Sequence, residues 1–191
     1  MAREKKFSTE DLFQATNHLL LQHGYEGFTF SILADHLNVS RGALYKYYEN
    51  KEELITDFML YEMNLFLVEL REIDHVDGFE EQFEFLIQLI FKNKSIHKLI
   101  EIGSSIPTNV SAKAKENRDK LDLLHLEMYK NLQGFIELGK KERMLKEDIP
   151  NGLLLGIIFQ SIAIPNHFGV PYSIWVESIK EILSHGMFKK R

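Results

Sequence analysis

The stretch Leu33-Ala34-Asp35-His36-Leu37-Asn38-Val39-Ser40-Arg41-Gly42-Ala43-Leu44-Tyr45-Lys46-Tyr47-Tyr48 decides how the rest of the chain is read. Leu33, Ala34 and Leu37 recur at the spacing of an inward helical stripe, and Thr29 ahead of them is a suitable N-cap. Asn38 falls where the chain must bend sharply, and asparagine is among the few non-glycine residues that tolerate a left-handed backbone. Ser40 offers the next cap, and Arg41 to Tyr47 predict a second short helix with only Leu44 and Tyr48 inward. Two short helices joined by a tight turn, with a small residue between them, are the requirements of a helix-turn-helix. Ala34 is that small residue, while Leu37, Val39 and Leu44 lock the angle from inside. The outer face of the second helix is left polar and uncommitted.

Outward from this core the pattern stays helical. Ser8 with Asp11 marks a capped start for a first helix carrying Leu12, Ala15, Thr16, Leu19 and Leu20, which ends at Gly24. Tyr25 to Phe28 read as a turn. Asn50 with Glu53 opens a fourth helix of roughly six turns, with Leu54, Phe58, Tyr61, Leu65 and Val68 inward, ended by Asp74 to Gly78. Phe79 to Asn93 follows with Phe83, Leu86, Ile87, Ile90 and Phe91 inward, then Ser95 to about Ser104 and a turn at Pro107. Ser111 opens a long helix with Leu121, Leu124, Met128, Leu132 and Phe135 as its stripe, reaching Gly139 before a charged turn over Lys140 to Asp148. Pro150 suits the first position of the next helix. The last helix is predicted from Ser173 to about His185, with Ile174, Ile179, Ile182 and Leu183 inward and Gly186 ending it. The expectation is an all-α fold of about nine helices with no strand: residues 1–50 as a three-helix domain containing the helix-turn-helix, and 51–191 as a second helical domain, to which the resemblance described below assigns ligand binding and dimerisation.

Composition narrows the function. The 191 residues are 45% hydrophobic and 27% charged, with four prolines and eleven glycines, values of an ordinary globular chain. Cysteine is absent, which excludes disulfides, thiolate metal sites and cysteine nucleophiles and suits a reducing cytoplasm. Polar Glu10, Asp11, Gln14, Asn17 and His18 stand where a secretion signal needs an apolar run. The most apolar stretch, Gly152 to Ile164, is too short for a bilayer span, so no membrane partner is expected. Through Lys51 the cations Arg3, Lys5, Lys6, Arg41, Lys46 and Lys51 are balanced by Glu4, Glu10, Asp11, Glu26, Asp35 and Glu49, so the net charge of −5 arises from Glu52 onward. Such a chain does not coat nucleic acid through many phosphate contacts, but it can make a small, directed contact.

Gly24-Tyr25-Glu26-Gly27-Phe28-Thr29, the helix-turn-helix stretch itself and Lys51-Glu52-Glu53-Leu54 together resemble the DNA-binding signature of the tetracycline-repressor (TetR) family of bacterial transcriptional regulators. The likeness covers roughly the first 55 residues. Leu33 stands where isoleucine is usual, Asn38 where glycine is common, and Tyr47-Tyr48 where histidine and phenylalanine are frequent. Groove chemistry and this resemblance together assign roles. Thr29 and Ser31 donate to phosphates, with Lys51 adding a cation at a helix N-terminus. Arg41 is the candidate base reader, since a guanidinium pairs bidentately with guanine. Gly42 and Ala43 let the helix lie close, Ala43 against a thymine methyl, while Tyr45, Tyr47 and Lys46 reach the backbone.

The resemblance also implies a C-terminal cavity for a small apolar or amphipathic effector that releases a repressor from a palindromic operator. Phe66, Phe83, Ile87, Phe91, Ile102, Leu124, Met128 and Phe159 lie on inward stripes suited to such a lining, with His97, Glu101, His125 and Tyr129 as polar points. A homodimer through the last two helices is expected, because two recognition helices must reach successive major grooves. Leu153, Leu154, Ile157, Ile158, Ile162, Ile174, Trp175, Ile179, Ile182 and Leu183 supply the apolar surface, and Gly152 and Gly156 allow close approach. An enzyme is not expected. Asp122 and His125 have the spacing of half a di-iron site, but the second pair is lacking, no nucleophile or phosphate-loop motif is present, and no metal or cofactor is predicted. A second domain that binds a protein partner in place of an effector stays open.

Overall fold

A computed structural model describes residues 7–93, 95–107 and 111–188; the basic residues Arg3, Lys5 and Lys6 lie outside these. The helices are α1 (Thr9–Gly27), α2 (Phe30–His36), α3 (Arg41–Leu44), α4 (Lys51–Leu70), α5 (Phe79–Ile90), α6 (Ile96–Ser105), α7 (Ala112–Asn131), α8 (Gln133–Lys141), α9 (Asn151–Gln160) and α10 (Tyr172–Met187). Only Leu132 separates α7 from α8, so the single long helix expected after Ser111 is present with a break, and counting it once leaves nine α-helices among the described residues. Outside the helices, Leu145 and Phe188 form an isolated antiparallel bridge. Among the described residues no helix is long and apolar enough to cross a membrane.

Four of the predicted caps form, whereas Ser40 stands at the N-cap of α3 without a side-chain cap bond. Ser8 Oγ accepts from the Asp11 amide at 2.9 Å and Asp11 accepts from the Ser8 amide at 2.8 Å, satisfying two of the donors that a helix start leaves open. Thr29 accepts from the Ile32 amide, Asn50 from the Glu53 amide and Ser111 from the Ala114 amide. Within α1, Gly24 has φ +67, so the regular helix breaks where the sequence places its end and a short turn runs on to Gly27. Pro150 precedes α9 as its N-cap rather than opening it, and α10 runs past Gly186 to Met187.

By its internal contacts the chain forms two compact units, one of residues 1–63 and 98–122, the other of 64–97 and 123–191. These do not follow the functional division expected at residue 50, because α6 and the first half of α7 pack with the N-terminal helices. In the first unit Leu12, Phe13, Leu20, Phe28, Leu33, Ala34, Leu44, Leu54, Ile55 and Phe58 share one core with Leu99, Ile102 and Ile106. In the second, Phe79 stacks on Phe135 with ring centroids 4.9 Å apart and meets Phe83 and Phe188. Tyr172 donates to the Phe91 carbonyl at 2.8 Å, and Lys180 pairs with Glu84.

Two predicted stripes are corrected. On α4, Leu54 and Phe58 are buried as expected, but Leu65 and Val68 are exposed, Val68 by 60%, while Leu67 and Leu70 are buried. Leu67 lies nine residues after Phe58, about half a turn around the helix at 100° per residue. Within the second unit the covered positions of α4 are therefore Leu67 and Leu70 rather than Leu65 and Val68. On α10, Ile179 and Leu183 face in, whereas Ile174 and Ile182 point to solvent, Ile182 with 71% of its surface exposed.

Candidate nucleic-acid interface

The geometry of the first unit begins at the turn. The Leu37 amide donates to Leu33 O at 3.0 Å and closes α2, the Val39 amide reaches back to Ala34 O at 2.9 Å, and Asn38 between them has φ +53. Asparagine accepts this left-handed conformation at a cost that a β-branched residue could not meet, so the polypeptide reverses within three residues. Ala34, 1% exposed, and Leu44, wholly buried, belong to one core, as the small and the inner residue of a helix-turn-helix must.

With Leu44 committed inward, the opposite side of the segment is free of the core. Arg41, Gly42, Tyr45, Lys46 and Tyr47 are exposed and Ala43 is half-buried. Helix α3 itself is a single turn; the Tyr45 amide still donates to Arg41 O and the Tyr47 and Tyr48 amides to Leu44 O, so a turn of helical backbone carries the tyrosines onward. The Arg41 guanidinium approaches Ser31 Oγ at 3.5 Å, which brings the base-reading candidate and a phosphate candidate onto one surface. Tyr45 and Tyr47 are held by their rings, Tyr45 edge-on to Phe30 at 5.0 Å and Tyr47 edge-on to Phe7 at 5.9 Å. Both tyrosines nevertheless keep more than half of their surface exposed. Thr29 is exposed, its hydroxyl already accepting the α2 cap bond.

Lys51 has a second engagement that sequence reasoning missed. Its ammonium donates to Tyr25 O at 2.7 Å and lies 4.0 Å from the centre of the Tyr25 ring. Tyr25 in turn donates to Glu52 Oε1 at 2.6 Å. A parallel bond runs from Tyr48 to Asp57 at 2.7 Å. Burial, and then the carboxylate each hydroxyl bonds, push both phenols well above the ordinary tyrosine range, so both remain donors at neutral pH. These clamps tie the start of α4 to the helices before it. The sequence signal was available in the spacing of Tyr25, Tyr48 and the acidic start of α4, but no short-range pattern states which tyrosine meets which carboxylate.

The eight candidate lining residues are not all brought together. Phe66 and Phe159 meet edge-on at 6.5 Å, and Tyr129 joins Phe159 at 5.7 Å, so three helices contribute to one aromatic group. Leu124 is half-buried and Met128 buried on α7. Phe83 is committed to a ring cluster with Phe79 and Phe188, while Ile87 is buried on the same helix and Phe91 at its C-cap. Ile102 packs into the core of the first unit. Of the polar points, His97, Glu101 and His125 are exposed and Tyr129 is half-buried. Asp122 and His125 both face solvent, and among the described residues no group of three or more His, Asp or Glu side chains could hold a metal ion.

The last two described helices each divide into two faces. Leu154, Leu155 and Ile158 of α9 and Ile179 and Leu183 of α10 are buried, whereas Leu153, Ile157, Ile174 and Ile182 are exposed. Ile162 and Trp175 are half-buried, and Gly156 lies beside the Tyr129 hydroxyl, 3.8 Å from where a Cβ would stand.

Comparison with known proteins places this geometry. An uncharacterized HTH-type transcriptional regulator of Haemophilus influenzae is 31% identical over 84 residues, a stretch spanning 44% of this chain and 45% of that relative. The chain is therefore matched to less than half the length of that protein. Among solved structures, the transcriptional regulator FadR of Bacillus subtilis, crystallised with stearoyl-CoA, superposes with a TM-score of 0.71 at 19% identity, over 94% of this chain and 99% of the other. AibR, crystallised with isovaleryl coenzyme A and operator DNA, superposes with a TM-score of 0.66 at 17% identity, over 94% and 97% of the two chains. At those identities the likeness establishes a shared fold. Residues 12–57, which include the whole turn and both clamps' α4 partners, match the model of bacterial regulatory proteins of the tetR family. The helix-turn-helix segment is thus similar to the DNA-binding part of the tetR family of bacterial regulatory proteins, and the chain as a whole shares the fold of these solved regulators.

Proposed function

We propose that this protein is a DNA-binding transcriptional repressor that grips a palindromic operator as a homodimer and is released by a small apolar or amphipathic effector. The observation that carries the reading is the segment from Arg41 to Tyr48, in which Leu44 is fully buried while Arg41, Tyr45, Lys46 and Tyr47 are exposed. A helix held from beneath, with a guanidinium and hydroxyls above, is the object a major groove accepts. Arg41 reads a base, Gly42 and Ala43 permit close approach, and Thr29, Ser31, Tyr45, Lys46, Tyr47 and Lys51 position the head on phosphates. Residues 1–50 carry this role, and 51–191 carry effector binding and dimerisation.

The exposed apolar residues of α9 and α10 support the dimer. Leu153 with Ile157, and Ile174 with Ile182, repeat at one and two helical turns, so each helix carries a second apolar stripe. Two copies pairing through these stripes would place their heads on successive major grooves, about 34 Å apart. The aromatic group of Phe66, Tyr129 and Phe159, with Leu124 and Met128, is where we place the effector's apolar part. The acyl-CoA ligands of FadR and AibR are amphipathic molecules of the proposed kind. The decisive experiment is a binding titration with the DNA flanking the protein's own gene, against a random duplex. Specific binding that weakens on adding long- and short-chain acyl-CoA is the expected result, and equal affinity for both duplexes refutes the reading.

A further inference from the structure

The first half of α7 reads Ala112-Lys113-Ala114-Lys115-Glu116-Asn117-Arg118-Asp119-Lys120, a composition that predicts a solvated helix. Asn117 is nevertheless only 1% exposed, with Ala114 buried three residues before it. Its side-chain amide donates to Thr56 Oγ1 at 3.1 Å, and Thr56, equally buried, donates its own hydroxyl to Glu52 O at 2.8 Å. A hydroxyl has one donor and two acceptor sites, so Thr56 is used in both directions, and a two-step relay runs from α7 to the first turn of α4. Beside it, Arg118 donates to Ile106 O, and its charge acts on the Tyr25 hydroxyl. Lys98, on α6, donates to Leu21 O at 2.5 Å. Gly103 of α6 lies so near α4 that a Cβ there would be 2.8 Å from the Met59 methyl.

Residues 98–122 are thus part of the unit that carries the reading surface. A buried amide–hydroxyl pair adds little net stability over an apolar pair of the same shape, but a slip of either helix strands a polar group without a partner. Such a bond fixes register.

We propose that Asn117 is a positioning residue whose amide, through Thr56, holds α7 and α4 in the register that specific operator binding requires, although it touches neither DNA nor effector. This rests on the DNA-binding reading above. The test uses the full chain and four variants, Asn117→Leu, Thr56→Val, Thr56→Ser and the double variant Asn117→Leu/Thr56→Val. Affinity is measured by fluorescence anisotropy on the DNA flanking the gene and on a random duplex, with thermal unfolding in parallel. Asn117→Leu and Thr56→Val should each lower flanking-DNA affinity by about tenfold, within the range of typical inter-site coupling, while random-duplex affinity stays within about twofold. The double variant should be no worse than the stronger single, because both break one relay. Thr56→Ser keeps the hydroxyl but loses a methyl, so it should unfold earlier yet retain the preference; Thr56→Val keeps the volume and loses the preference. Should Asn117→Leu fail to fold, the Val/Ser pair decides alone. Unchanged flanking-DNA affinity in Thr56→Val, equal losses on both duplexes, or loss of preference in Thr56→Ser overturns the proposal. A wild type with no preference between the duplexes instead refutes the DNA-binding reading, and the role of Asn117 falls with it.

Discussion

Replacing Lys51 by alanine tests two roles that the structure assigns to one ammonium. Its bond to Tyr25 O at 2.7 Å uses one of three donors, and the nitrogen also lies 4.0 Å over the Tyr25 ring. Because Lys51 is half-buried, the charged hydrogen bond is partly screened. We take about 1 kcal/mol for it, below the usual range for bonds to charged groups, and about 0.5 kcal/mol for the cation–π contact. The sum of about 1.5 kcal/mol corresponds to a fall of roughly 3–6 °C in the melting temperature of a chain this long. Two donors remain for a phosphate, so Lys51→Ala should also reduce the slope of log affinity against log salt by about 0.9. Thermal unfolding reads the first effect and anisotropy titrations across a salt series read the second. A melting temperature that falls with an unchanged salt slope would show that the ammonium serves only the clamp. A slope that falls with an unaltered melting temperature would refute the energetic role given to Tyr25.

Arg41→Ala should relax sequence preference by about 1–3 kcal/mol of base discrimination, and equal losses on operator and random DNA in the same titration would remove its reading role. Leu44→Ala empties a wholly buried position under α3 and should destabilise the fold by about 2–5 kcal/mol, measured by denaturant unfolding. Ile182→Glu places a charge on an exposed position of α10; sedimentation should find a folded monomer with weakened operator binding, and an undisturbed dimer would exclude this face as the interface.

Much of the fold was legible because its signals are local. The capping pairs Ser8–Asp11 and Asn50–Glu53 act over three residues, and the bend at Asn38 follows from which side chains tolerate positive φ. The inward residues of α5 were readable for the same reason, since Phe83, Leu86, Ile87 and Ile90 recur at helical spacing and are buried, with Phe91 buried at the C-cap. Helix α4 was misread at Leu65 and Val68 because periodicity reports that an apolar stripe exists, not which of several overlapping apolar positions become covered. The candidate site divides in the same way. Arg41, Tyr45 and Lys46 could be placed outward once Leu44 was placed inward, whereas the Lys51–Tyr25 clamp joins residues 26 positions apart.

The sequence alone determined the helix-turn-helix and the residues available on its outer side, because a cap, a small wedge and a left-handed turn residue are set by backbone sterics within a few positions. Only the tertiary structure decided which apolar residues remain uncovered on α9 and α10, that Ile102 belongs to the first unit's core, and that Asn117 is buried against Thr56. Those outcomes depend on which helices meet, and burial is a property of the meeting surfaces rather than of either segment by itself.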